Sequence, residues 1–374
     1  MRKLTMPDSP TITPLFHDCE SPWCFPHLRR SVGGYNAGVK NRVRGHTRTI
    51  SVRKKIAFAC VAIVLSLALA ATIAEVSLRL VGRRSLFTLP QQVMASLRGG
   101  PPAIRYPDPL FHNGLLPKSS GWQTAYFGPY LIRTNSLGMR DAESRDVPLV
   151  AGKRRVMVMG DSSIEGLGLN WQDTAVGMLA ESRHDLDILN AGICGHTTSS
   201  YLVRTRYMIE SMGVHIDDLI VEVDISDPAD LEFRYANFDG HRVTARNGGP
   251  RITGELLGDW TYDDALWDQY GRRRLAECLN HMTALKSLCD KHGIRLHVGT
   301  HPWPYQIKAN DFDSRARRAW ATWCDDNAVP FIDAWPAFFN HLDPNSLFIP
   351  GDVHWSAAGG QIMANLFSEA IGKQ

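Results

Sequence analysis

The sequence predicts an α/β protein: a parallel sheet of five strands covered on both faces by helices. Three observations carry that prediction. Short apolar, β-branched runs recur after residue 154, at 155–159, 186–189, 219–223, 295–299 and 329–332. Stretches of helical period fall between them, near 173–184, 199–212, 268–292 and 313–327, with a last one at about 356–371. Strands of this length separated by helices need crossover connections, which make neighbouring strands parallel and bury both sheet faces. In such sheets ligands sit beyond the carboxyl ends of the strands.

The chain reaches this region through three dissimilar segments. Residues 1–55 carry 11 Lys/Arg against 3 Asp/Glu, a net +8, with prolines and glycines and no helical or strand period, so they read as a disordered basic tail. Residues 56–74 are 19 uncharged positions broken only by Ser66 and Thr72. As a helix they would span roughly 28 Å, close to the hydrocarbon thickness of a bilayer. Arg53, Lys54 and Lys55 precede the run and Glu75 follows it, which places the tail in the cytoplasm and the remainder outside, anchored by one transmembrane helix. A cleaved signal peptide is the competing reading, since Ala68-Leu69-Ala70 suits a signal peptidase. The long run and its 55-residue lead argue for retention. Residues 75–150, rich in Pro and Gly, read as a linker and an irregular lead-in to a catalytic domain at 151–374.

Charge and cysteine narrow the function. The whole chain is +3, yet residues 56–374 carry 30 basic against 35 acidic side chains, a net −5, so nucleic acid is not an expected partner. Seven cysteines include no C-x-x-C pair, and Cys278 and Cys289 lie about 16 Å apart along one predicted helix, too far to bridge. Free thiols are expected. No Gly-x-Gly-x-x-Gly follows the first strand, so a dinucleotide site is not expected.

Four strand ends carry polar or glycine clusters. Gly160-Asp161-Ser162-Ser163-Ile164-Glu165-Gly166 follows the first strand and presents a serine hydroxyl on a tight turn, although a plain helix cap would use the same residues. Asn190-Ala191-Gly192-Ile193-Cys194-Gly195-His196 follows the second. Gly195 has no Cβ to obstruct an approach, so its N–H can reach a bound oxyanion. Asp224-Ile225-Ser226-Asp227 follows the third, and its two carboxylates find no third metal ligand at sensible spacing. Gly351-Asp352-Val353-His354-Trp355 precedes the last helix, where Asp352 can hold one ring nitrogen of His354 while the other faces a nucleophile.

Together these blocks resemble the SGNH (GDSL-type) hydrolase superfamily over about residues 154–372. The resemblance implies a flavodoxin-like α/β/α sandwich, Ser162 as nucleophile, His354 as base with Asp352, and an oxyanion hole from Ser162, Gly195 and the third block. Two departures stand out. The third block usually reads Gly-x-Asn-Asp, whereas Ser226 occupies the Asn position. The last usually reads Asp-x-x-His, whereas this chain has Asp352-x-His354-Trp355, similar to alginate-type polysaccharide O-acetyltransferases; Asp333 is the reserve carboxylate. The stretch Thr134-Asn135-Ser136-Leu137-Gly138-Met139-Arg140-Asp141 is similar to one before the serine block of membrane-anchored members. Gly-x-Ser-x-Gly is absent, against an α/β-hydrolase elbow.

The expected function is an exported serine esterase acting on O-acyl groups, acetyl esters of carbohydrate or small esters, with no cofactor or metal. Asp161, Asp227, Trp303, Tyr305 and Trp355 are candidates for contact with substrate, Trp303 and Tyr305 by stacking on a sugar ring, against which stands plain packing of aromatics in a Pro-fixed loop. An O-acetyltransferase is the nearest alternative, and a non-catalytic polysaccharide-binding or assembly subunit the next.

Overall fold

In the computed structural model, residues 104–125, 128–233, 237–244 and 254–372 are described, with scattered helical positions between 58 and 70. The chain forms two units, Met1–Ala74 and Glu75–Gln374. In the first, Phe58, Val61, Ile63, Leu65 and Leu69 are helical and exposed. Among the described residues no helix is long and apolar enough to cross a membrane, and most of the anchor expected at 56–74 lies outside them. The basic tail lies outside them altogether.

The second unit is organised by a strand with no exposed residue, β5 (Arg155–Met159). Its pleat sends Val156 and Val158 into one apolar layer and Met157 and Met159 into the other, which is why a continuous apolar run serves a sheet covered on both faces. The partners of β5 are β6 (Asp187–Asn190), β7 (Asp218–Glu222), β10 (Arg295–Thr300) and β11 (Phe331–Asp333). All pair in parallel in the order β6-β5-β7-β10-β11. The five predicted strands are therefore present, each within two residues of its expected bounds.

One face is covered by α2 (Ala175–Ser182) and α9 (Ala357–Ile371), which pack with Val156, Val158, Ile188 and Ile220. The other is covered by α3 (Thr198–Arg206), α5 (Arg272–His292) and α7 (Arg315–Asp326), around Met157, Leu219, Val221 and Val298. Three layers result. Strand order reverses between β5 and β7, so the crevice at their carboxyl ends is where this topology receives a ligand.

The lead-in is not irregular as expected. It holds two antiparallel hairpins, β1 (Arg105–Asp108) with β2 (His112–Leu115), and β3 (Ser120–Ala125) with β4 (Gly128–Arg133). Pro107 and Gly114 fall inside the first pair, where short strands leave no alternation to read. Tyr130 and Ile132 face inward with Ile104 and Leu115, and close over Ile193 of the loop after β6. A third short pair, β8 (Asn237–Phe238) with β9 (Val243–Thr244), was equally unforeseen.

Candidate active site

The polypeptide leaves β5 through Gly160 and turns at once into a one-turn helix, α1 (Ser162–Glu165). A Cβ on Gly160 would lie 2.5 Å from Ile164, so the turn requires glycine. Asp161 caps the helix by accepting the Ser163 N–H at 2.8 Å. At the far end the buried Arg140 donates to the carbonyls of Glu165 and Gly166, both at 2.7 Å. Burial pulls its guanidinium down to about 10, and Glu165 opposes that pull. Arg140 reaches the turn because Asn135 folds its own loop, accepting the Leu137 and Met139 N–H groups and donating to Asp141. The 134–141 stretch thus buttresses the turn that carries Ser162.

His354 sits on the loop before α9, held there by the buried Trp355 beside it and by the Ile349 N–H donating to its carbonyl at 2.9 Å. Its Nε2 lies 2.7 Å from Ser162 Oγ, and its Nδ1 is hydrogen-bonded to Asp352 Oδ1. The same Asp352 oxygen accepts the His354 backbone N–H at 2.8 Å. Two residues of spacing therefore suffice, because the loop curls the carboxylate back over the ring. Burial raises the Asp352 carboxyl, but the hydrogen bond and charge of His354 outweigh this and hold it below its ordinary value. The reserve, Asp333, is committed elsewhere, to a fork with Arg317.

Gly195 lies in the loop after β6 with φ +76°, a conformation that favours glycine, and its N–H makes no hydrogen bond to another described residue. Ser226 N–H donates to Asp224 at 2.7 Å, and its hydroxyl makes no hydrogen bond to another described residue. Ser162, Gly195 and Ser226 thus follow three neighbouring strands, β5, β6 and β7, at one end of the sheet.

The candidates for substrate contact differ in how far they are exposed. Asp227 is fully buried; its burial, then Asp224 and Asp161, push its carboxyl well up. Trp303 and Trp355 are 3% and 2% exposed, and the Trp303 indole donates to Asp224 at 3.1 Å, so neither presents a ring to solvent. Asp161 caps α1 and accepts weakly from Ser162 Oγ at 3.3 Å. Burial, followed by Asp224 and Glu222, raises its carboxyl well above the usual range. Tyr305 remains half-exposed.

His301 precedes Trp303 and Tyr305 in the same loop, and no spacing in the sequence marks it as a titratable group of the site. Its Nδ1 is 2.6 Å from Glu222 and its Nε2 is 4.0 Å from Asp224, all three buried. These are three groups at metal-ligand separations, where the third block by itself offered none. The imidazole is hydrogen-bonded to Glu222 through Nδ1, while Nε2 faces Asp224 beyond hydrogen-bond distance. Burial lowers its proton affinity, yet Glu222 and then Asp224 outweigh this and raise it above its ordinary value.

No protein-family model matches this chain, and neither does any curated protein. Several solved structures are similar in fold. A GDSL-like lipase from Bacteroides thetaiotaomicron is 15% identical, with a TM-score of 0.37, over 60% of this chain and 91% of that one. A lipase/acylhydrolase from Enterococcus faecalis is 12% identical, with a TM-score of 0.38, over 58% and 95%. A mutant of an acetyl-xylooligosaccharide esterase from Geobacillus is 15% identical, with a TM-score of 0.38, over 61% and 98%.

Proposed function

We propose that this protein is a serine ester hydrolase of the SGNH type, exported and membrane-anchored, that cleaves O-acyl esters, chiefly acetyl groups on carbohydrate. One observation carries the chemistry: His354 bridges Ser162 Oγ and the Asp352 carboxylate, one ring nitrogen to each. With Nδ1–H donated to Asp352, Nε2 presents its lone pair to the serine O–H. Ser162 Oγ attacks the ester carbonyl as His354 takes its proton. The tetrahedral oxyanion is received by the N–H groups of Ser162 and Gly195, with the Ser226 hydroxyl in the place of the usual asparagine amide. His354 then protonates the leaving alcohol and later activates the water that releases the acid. A sugar hydroxyl in place of that water makes the same site an O-acetyltransferase, a reading favoured by the Asp-x-His-Trp block. Support for export is the uncharged run at 56–74 behind a basic flank.

The experiment is turnover of p-nitrophenyl acetate by the full-length chain, wild type beside Ser162→Ala, with and without xylo-oligosaccharide. Ser162→Ala is expected to lower kcat by about 10⁴-fold or more without loss of folding. Acetyl found on the sugar instead of in free acetate reassigns the protein as a transferase. Equal rates from folded wild type and variant overturn the ester hydrolase reading and promote the binding subunit.

A further inference from the structure

Two of the three oxyanion donors proposed above are backbone N–H groups, and a backbone group is only as well aimed as its peptide plane. The plane that carries the Gly195 N–H also carries the Cys194 carbonyl, and in a trans peptide the two point in opposite directions. Whatever grips the carbonyl therefore aims the N–H. Here the grip comes from outside the sandwich: Asn113 Nδ2, on β2, donates to Cys194 O at 3.0 Å. The next carbonyl, Gly195 O, is met by His112 Nε2 at 3.3 Å, and His196 Nε2 returns a contact to Asn113 O at 3.1 Å. His112 adopts φ +62°, unfavourable for a side chain with a Cβ, to bring its ring to the loop.

The other side of Cys194 is held by the nucleophile helix. Glu165, the last residue of α1, is fully buried, and its Oε2 accepts the Cys194 N–H at 2.7 Å. Arg105, on β1, forks onto the same carboxylate, with Nη1 2.9 Å from Oε2 and Nη2 bonded to Oε1. Burial would raise the Glu165 carboxyl, but Arg105 and the Cys194 N–H hold it below its usual value, so the link is a carboxylate. Gly192 brings the loop close, since a Cβ there would fall 2.3 Å from Glu165 N. Behind the hydrogen bonds, Ile193 packs under Ile104, Leu115, Tyr130 and Ile132. The hairpin is itself braced, with Asp108 accepting the N–H groups of Leu110 and Phe111 and the Tyr106 hydroxyl.

We infer that the β1–β2 hairpin is a clamp on the oxyanion loop, with Asn113 the positioning residue that aims the Gly195 N–H and the Arg105–Glu165 pair tying that loop to the nucleophile turn. This rests on the serine-hydrolase reading above. The hairpin lies before the region that resembles the hydrolase family, so the domain is catalytically complete only with its lead-in. Asn113 touches no reacting atom.

The test compares full-length wild type, Asn113→Ala, Asn113→Asp and Ser162→Ala on p-nitrophenyl acetate, with thermal melting of each. Removing one oxyanion donor outright costs about 10²–10³-fold in kcat, so a donor left in place but unaimed should cost about 10–100-fold, with KM within about two-fold. Asn113→Asp keeps the size and removes the donor, so it is expected to fall as far as Asn113→Ala; a packing role would spare it. Arg105→Lys, which keeps the charge and loses the fork, is the reserve if both Asn113 variants melt early, with an expected loss of about three- to ten-fold in kcat. Ser162-dependent turnover with unchanged kcat in the folded Asn113 variants overturns the clamp alone. Turnover that does not depend on Ser162 overturns the hydrolase reading and the clamp with it.

Discussion

The two ends of the central sheet both bury charge, and they treat it in opposite ways. At the amino ends of the strands, acid meets base. Arg154 forks onto Asp218 at 2.7 and 2.8 Å, and Arg295 joins it. The fully buried Arg155 donates to Asp187, to the carbonyls of Pro148, Leu149 and His215, and through its backbone to Asp217. His297 Nε2 lies 3.2 Å from Asp218, leaving its Nδ1 as the exception among these partners. At the carboxyl ends, acids crowd acids: Asp161, Glu222, Asp224 and Asp227 are all buried, with His301 among them. There Glu222 Oε2, Asp227 Oδ2, Thr300 Oγ1 and His301 Nε2 are buried without a hydrogen-bond partner among the described residues. One end is built to hold the sheet and the other carries unrelieved polarity beside Ser162, the pattern expected where function is placed ahead of stability.

That contrast can be broken by exchanging the effects. The largest is expected from Asp352→Asn at the carboxyl end. The amide can hold His354 by its oxygen or its nitrogen but cannot stabilise an imidazolium, so kcat should fall by about 10³–10⁴-fold with the melting temperature unchanged. A variant that melts early instead would make Asp352 a structural residue and erase the distinction between the ends. At the amino end the expectation reverses. Asp218→Asn takes the buried carboxylate away from the half-buried Arg154 and the exposed Arg295 and should cost about 1–3 kcal/mol in chemical denaturation, while the folded fraction keeps its turnover.

The same residue predicts a pH dependence. Burial raises the Asp218 carboxyl, but the His297 and Arg154 hydrogen bonds and the Arg154 and Arg295 charges hold it below its ordinary 3.8. A depressed folded value makes its stabilisation complete above 3.8 and lost as pH falls below it. Wild type should therefore lose more stability than Asp218→Asn between pH 5 and about 2.5. Parallel curves would remove Asp218 from the account.

The smallest effect is expected from Asp227→Asn. Its folded carboxyl lies well above the ordinary value, so the ionised form is disfavoured in the fold and wild-type stability declines as pH rises through the carboxylate range. An amide escapes that penalty. The variant should match wild type within about 1 kcal/mol at acid pH and gain on it toward neutrality, read from melting curves. A clear loss at neutral pH would mean that the Asp227 carboxylate is satisfied after all, and that the acid-rich end is less frustrated than its hydrogen bonding indicates.

What was legible in the chain followed from local rules. The run 155–159 reads as a buried parallel strand because both its faces are apolar, and Asp352 and His354 read as partners because two residues of loop can fold one onto the other. Spacing could not read burial. Trp303 looks like a stacking ring in a Pro-flanked loop and Trp355 like a substrate contact in a strand-end block, yet both are packed inside, because only the assembled layers decide which side of a loop meets solvent. Nor could it pair Arg105 with Glu165, 60 positions apart, or His301 with Glu222, 79 apart.

The sequence by itself therefore determined the strands, their parallel pairing and the identity of a serine, a histidine and an aspartate, since periodicity and short motifs are properties of neighbours along the chain. Tertiary structure alone decided that His354 lies 2.7 Å from a serine 192 positions earlier, that acids gather at one end of the sheet, and that a hairpin of unremarkable composition grips the Cys194–Gly195 peptide. Those facts depend on which surfaces meet once β5 and its neighbours have closed, and no local pattern records that meeting.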